Sequence, residues 1–363
     1  MKKETIIKIS LLVVATIAIA VGVIYKNDNK RNLKETKGIT IVPTMYDEIT
    51  TDTAWNPTFQ LVWNDFKNEL IKQDIIFEEK NNIVDNLNKE YFTDKMISEN
   101  YYYKNYGLKT LELKDEIEKG IKEKFNQTSD IINDFDWDEK NLNHDDSNSK
   151  RYFFYSMLYR EFEYNYKFKE LEKGSFKDVK DIKYFGTDKT STSKVRSQIT
   201  ILFYNNEQDF AISISTKNND ELIFYKNPKG TTFNEIYENL LSEKEKYKGS
   251  KSLLGEENFK APYMEFKVKK EFTELENKPF KAADGDTCII EKAIQSIEFQ
   301  INEKGGKVKS EAGMDVRKEL AIDPAELRYF NVDNTFALFL KENKKDVPYF
   351  ALRVNDITKY QQN

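Results

Sequence analysis

Alternation at every second position sets the fold class. From Arg151 onward, "RYFFYSMLYREFEYNYKF", "SQITILFY", "DFAISIST" and "ELIFY" interleave aromatic and branched residues with polar ones, and short polar turns separate the stretches. Successive side chains of a strand point to opposite faces, so this spacing predicts half-buried strands. The first third has a different period. In "NPTFQLVWNDFKNEL", Asn56 suits a helix cap and Pro57 the first turn, while Phe59, Val62, Trp63, Phe66 and Leu70 share one face. Ile117, Ile121 and Phe125 mark a second amphipathic helix, and "KGTTFNEIYENLL" over 229–241 a third, with Phe233, Ile236 and Leu240 on one side. A mainly helical first third followed by strands predicts an α+β fold with a mixed or antiparallel central sheet, rather than alternating βαβ units. One domain over 41–363 is the simplest organisation, with no internal repeat.

Charge and residue counts narrow the function classes. Fifty-seven basic residues stand against 62 acidic ones, a net charge of −5, and no basic stripe is interleaved with aromatics, so nucleic acid is not expected as a partner. The single cysteine, Cys288, permits no internal disulfide and no thiol-rich zinc site, and the single histidine, His144, sits in a polar stretch. No Cys/His pair or Ser-His-Asp triad is available, and no glycine-rich phosphate loop or paired-carboxylate motif stands out. The chain is therefore expected not to be an enzyme and to need no cofactor or metal. Asp134, Asp136 and Asp138 alternate like the start of a calcium loop, but Glu139 replaces the turn glycine and Asp145 stands at the twelfth position, which reads as a solvated acidic loop.

The N-terminus carries a different signal. A short basic segment, 1–8, precedes the uncharged run "ISLLVVATIAIAVGVIY" over 9–25, close to the ~20 residues that a spanning helix needs. Ala18 and Ala20 could form a cleavage site, yet Val21 to Ile24 continue the apolar run, so an uncleaved signal anchor is expected. Residues 26–40 read as a polar tether. The basic residues Lys26, Lys30, Arg31, Lys34 and Lys37 crowd the far side of the run. The expected arrangement is a single-pass protein of the cell membrane with an extracytoplasmic domain, or a secreted one if the segment is cleaved.

Residues 293–312 pose the functional question. Ile297, Phe299 and Ile301 alternate with Glu298, Gln300 and Asn302 as a half-buried strand should, and the stretch then stalls at Gly305 and Gly306. Beyond it, Gly306, Val308, Ser310 and Ala312 form a small face, and Lys307, Lys309 and Glu311 a charged one. Such a segment fits between two strands if a gap opens. Otherwise it is an ordinary strand end running into a hairpin.

These residues resemble a serpin. "TFALFLKENKKDVPYFALRVND" (335–356) is similar to that family's closing hairpin, and "IEFQINEKGGKVKSEAG" to the strand and proximal hinge that lead into its reactive loop, with Asn302, Glu303 and Gly305 matching Asn-Glu-x-Gly. "APYMEFKVKKEFTEL" looks like the strand with the Leu-Pro-Lys-Phe pattern, "GTTFNEIYENL" stands at the family's short helix, and "LYREFEYNYKF" resembles the end of a central strand, with Tyr159, Tyr164 and Phe168. The likeness spans about residues 150–357 and is that of a divergent serpin of bacterial type. It departs from the family in lacking a Ser-Pro-x-Ser helix start, in having Tyr164 for tryptophan, and in Gly306, Lys309 and Glu311 at the hinge. It implies a central sheet with smaller packed sheets, a monomer, and inhibition of a serine or cysteine protease by loop cleavage and insertion. The implied hinge is Glu303, Gly305, Gly306, Val308, Ser310 and Ala312, and the implied scissile region is Val316, Arg317, Lys318, Glu319 and Leu320. The charged hinge residues leave a non-inhibitory interaction or structural module as the alternative.

Overall fold

The computed structural model describes residues 33–138, 140, 142, 150–306 and 327–361. The chain divides into Met1–Lys34 and a compact unit, Glu35–Asn363. In that unit the backbone N–H of Thr36 donates to the Lys267 carbonyl at 2.6 Å and Ile39 is buried, so the last residues of the expected tether are bonded into the domain. The apolar run 9–25 lies outside the described residues, and among those no helix is long and apolar enough to cross a membrane.

Strands β1 (Thr40–Ile41) and β2 (Thr53–Trp55) precede helix α1 (Thr58–Asp65), which widens into a π-helical stretch over Phe66–Ile71. Then come α2 (Asn82–Asn88), β3 (Tyr102–Leu108), α3 (Leu111–Phe125), β4 (Tyr152–Leu158), β5 (Phe162–Glu163), β6 (Lys169–Phe176) and β7 (Val179–Gly186). Helix α4 (Ser193–Ser197), strands β8 (Ile199–Asn206), β9 (Asp209–Ser215) and β10 (Asp220–Lys226), and helix α5 (Phe233–Lys246) follow. The rest is strand: β11 (Asn258–Pro262), β12 (Met264–Glu271), β13 (Pro279–Lys281), β14 (Thr287–Ile289), β15 (Ile294–Ile301), β16 (Gly305–Gly306), β17 (Tyr329–Asn331), β18 (Phe336–Glu342) and β19 (Phe350–Val354).

This is an α+β fold with several sheets. The largest has the order β1-β2-β19-β18-β10-β9-β8, and a four-stranded sheet runs β17-β11-β7-β6. β18 lies at the centre of the first, so "FALFL" is buried on both faces and reads as a continuous apolar run. Two antiparallel pairs, β3–β4 and β12–β15, stand apart from both sheets.

Two expectations for the first third change. Beside the helices expected to dominate it, it contains three strands, β1, β2 and β3. Helix α1 buries more than the one expected face: Gln60, Leu61 and Asn64 are buried with Phe59 and Trp63, whereas Val62, Phe66 and Leu70 are half-buried. Its inner amides bond to the protein rather than to solvent: Gln60 donates to Asn64 Oδ1 and the Leu87 carbonyl, and Asn64 donates to the Phe92 carbonyl, while Gln60 Oε1 has no partner among the described residues. Asn56 does cap the start, its Oδ1 accepting the Thr58 N–H at 3.1 Å. Helix α3 has a core of its own. Leu113, Ile117 and Ile121 pack with Ile132 on Phe153 and Tyr155 of β4, while Phe125 is half-buried. In α5, Phe233, Ile236 and Leu240 are fully buried, as their spacing requires.

Candidate functional site

The expected half-strand is present and turns back on itself. In β15, Ile297, Phe299 and Ile301 are buried and Glu298 is exposed, with Phe299 opposite Phe266 of β12. The chain then reverses over Asn302–Gly305, where Asn302 and Gly305 exchange N–H to carbonyl bonds of 3.3 Å each. Asn302 Oδ1 also accepts the Lys304 N–H at 2.8 Å, a side-chain turn that asparagine makes readily. Only glycine suits position 305. Its φ is +119°, and a Cβ there would lie 2.5 Å from the Phe162 carbonyl oxygen and 2.7 Å from the Glu163 Cα.

That close approach starts a ladder. β16 runs antiparallel to β5, with Gly305 opposite Glu163 and Gly306 opposite Phe162. The turn is fastened from two sides: the Tyr164 N–H donates to the Lys304 carbonyl at 3.2 Å, and the Phe168 N–H to the Glu303 carbonyl at 2.9 Å. Glu303 itself is buried. Its carboxylate accepts the Tyr263 hydroxyl at 2.7 Å and pairs with Lys167 at 3.3 Å. Burial pushes this carboxyl up, but the Tyr263 bond, a backbone N–H and Lys167 outweigh it, and the net shift is downward. Tyr164 and Phe168 are fully buried beside the turn, their rings 4.8 Å apart. The Tyr164 hydroxyl is held well above the usual tyrosine range by burial and then by the Glu303 and Tyr263 charges.

β16 thus lies between the end of β15, through the Asn302–Gly305 bridge, and β5. Further down, β4 is bonded only to β3 and β15 only to β12 among the described residues. Among the described residues no ladder joins the two pairs along this length.

The two strand pairs are bridged on one face. Ser129 accepts the Tyr155 hydroxyl at 3.1 Å, and Phe135 and Trp137 pack on Phe153 at 4.8 and 5.0 Å, all on the β4 side. From the same stretch, Asp130 pairs with Lys267 at 2.5 Å and Asp134 with Lys269 at 2.6 Å, both on β12. The chain after α3 thus crosses from one strand pair to the other. Asp134 of the calcium-like stretch is spent on this strap, and no group of three metal-ligating side chains occurs among the described residues.

The far end of the segment after Gly306 is also fixed. Arg328, just before β17, gives Nε to Glu257 Oε1 (2.6 Å), Nη2 to Glu257 Oε2 (2.8 Å) and the Ser252 carbonyl (3.0 Å), and Nη1 to the Tyr247 hydroxyl and Ser250 carbonyl (both 2.7 Å). All five guanidinium donors are used. β17 then pairs parallel with β11, and Phe330 is fully buried.

Of the expected site residues, Glu303, Gly305 and Gly306 meet at the turn. Val308, Ser310 and Ala312, and the scissile candidates Val316, Arg317, Lys318, Glu319 and Leu320, lie outside the described residues. Tyr263, Lys167 and the Arg328–Glu257 anchor were not foreseen, since nothing in their local sequence ties them to the turn.

No family model matches the chain, and no curated protein does. Among solved structures it is similar to Serpin48 of the insect Tenebrio molitor, at 11% identity over 84% of this chain and 92% of that one, with a TM-score of 0.49. It is similar to a tumour-suppressing serpin, at 14% identity over 84% and 92% with a TM-score of 0.49. It is also similar to thyroxine-binding globulin in complex with thyroxine, at 11% identity over 82% and 79% with a TM-score of 0.40.

Proposed function

We propose that the domain is a serpin-like inhibitor of serine or cysteine proteases, working by cleavage between Gly306 and Arg328 and entry of the freed strand between β5–β4 and β15. One observation carries this reading: the turn at Asn302–Gly305 reverses the chain onto β5, where two residues are already paired. If that register continues, Val308 falls opposite Arg160, Ser310 opposite Leu158 and Ala312 opposite Ser156. These are inward positions, on the side of the buried Phe162 and Tyr164. The small residues then meet the core. Lys307 falls opposite Glu161, a favourable cross-strand charge pair. About ten added residues at ~1 kcal/mol of net hydrogen bonding each would supply on the order of 10 kcal/mol. The chain does no chemistry of its own; the protease makes and breaks the bonds, and the uncut state persists behind a kinetic barrier. We further propose that the 9–25 run holds the domain at the outer face of a membrane.

One observation favours a non-inhibitory binding module instead. Lys309 and Glu311 would face the strap of Asp130 and Asp134, which an entering strand must pass beneath. A protease panel separates the two readings. The inhibitor gives a complex that survives denaturing electrophoresis, and a melting temperature that rises after a nick between Gly313 and Leu327. A cut chain whose melting temperature stays level or drops leaves only the binding module.

A further inference from the structure

Arg160 stands between β4 and β5 at an inward position, and its side chain is 3% exposed. Its Nε and Nη2 donate to Asp220 Oδ2 at 2.8 and 2.7 Å, Nη2 also donates to the Asn218 carbonyl at 2.9 Å, and its guanidinium lies 3.3 Å from the centre of the Tyr101 ring. Asp220, the first residue of β10, is 0% exposed. The Tyr349 hydroxyl, ahead of β19, sits beside both charges. Around them, the Tyr164–Thr216 bridge, the Lys217 N–H to Glu163 carbonyl bond and the Lys217–Glu163 ion pair join β5 to the turn between β9 and β10. This is the main polar weld between the strand that receives the hinge and the seven-stranded sheet.

The weld is electrically unfinished. Asp220 Oδ1 and Arg160 Nη1 are buried and make no hydrogen bond of regular geometry among the described residues, and the polar group set against both is the Tyr349 hydroxyl. Directly opposite Asp220 on β18 stands a second acid, Glu342, which is held by Ser98. A carboxylate buried this deeply beside a like-charged neighbour holds a proton more readily than one in water.

We propose that Arg160 and Asp220 form a proton-linked latch, closed more tightly in acid, that governs how easily β3–β4–β5 parts from the large sheet. The proposal depends on the function proposed above only for what that parting admits. Burial raises Asp220 to about 6 despite Arg160. A state that exposes the carboxyl to water returns it to the ordinary value near 4, so the closed state binds the proton between these limits and acid favours closure.

Amide hydrogen exchange on the intact protein, without any protease, tests this. Protection factors over Tyr152–Glu163, corrected for intrinsic exchange, are expected to rise about tenfold from pH 7.5 to pH 5, and Asp220→Asn is expected to show no such rise. Glu342→Gln, which removes the opposing charge, is expected to move the midpoint to lower pH; it replaces Asp220→Asn as the deciding variant if that protein does not fold. A wild type whose protection is flat or falls in acid overturns the latch. So does a slope that persists in Asp220→Asn, or, in its place, an unmoved midpoint in Glu342→Gln. Failure to inhibit any protease would sink the proposed function and leave these outcomes untouched.

Discussion

At the turn after β15 a single carboxylate, Glu303, joins three parts of the chain: its own turn, Tyr263 between β11 and β12, and Lys167 beyond β5. Glu303→Ala strands a phenol and a lysine and is expected to cost about 1–3 kcal/mol, read as a lower urea midpoint. Gly305→Ala is expected to cost at least as much, because backbone atoms rather than flexible side-chain ends occupy the Cβ position. The folded-state value of Glu303 is lowered, so its contribution is present above the ordinary glutamate range and fades as pH falls through the folded value. Glu303→Gln should therefore flatten the loss of stability below about pH 4. Gly305 showed in the sequence as a stall in the alternation, and Glu303 only through the resemblance. Their partners did not show, since Tyr263 is brought in by the β12–β15 pairing and Lys167 by the chain beyond β5. Arg160 did leave a sign: a cation in phase with the inward Leu158, Phe162 and Tyr164.

Among the elements, β18 and β19 could be read directly, because strands in the middle of a sheet are apolar on both faces and pair through a short connection. β3 could not. "YYYKNYGL" shows no clean alternation, since Tyr103 lies under α3 while Tyr106 stacks on Phe154 at 5.2 Å on the opposite face. The break between β4 and β15 was invisible for a further reason: it is the lack of a ladder among the described residues, which no local pattern marks. Its use is testable at this scale. Val308→Arg places a second cation opposite Arg160 in the core, where an uncompensated charge costs several kcal/mol, and should abolish the rise in melting temperature after nicking. Lys307→Glu faces Glu161 near the surface and should lower that rise only modestly. Equal effects from the two variants would refute the register that begins at Gly306–Phe162.

Across the whole molecule, the predominance of strands after Arg151 follows from the periodicities, whereas the separation into a large sheet, a four-stranded sheet and four strand pairs among the described residues rests on long-range pairing that no local pattern encodes. The strand order of the largest sheet has a consequence for how the protein is made. β2 at residues 53–55 and β10 at 220–226 are neighbours only through β19 and β18, which a ribosome delivers last. During synthesis the two halves of that sheet must wait with their inner edges bare, the condition in which unpaired strands invite aggregation or the attention of chaperones. Chains released before Phe336 are expected to be digested to small fragments by a protease that leaves the full chain intact outside its 307–326 segment. Adding a separate peptide that spans 335–356 should restore a resistant core, because the late hairpin then arrives as a partner instead of as the end of the same chain.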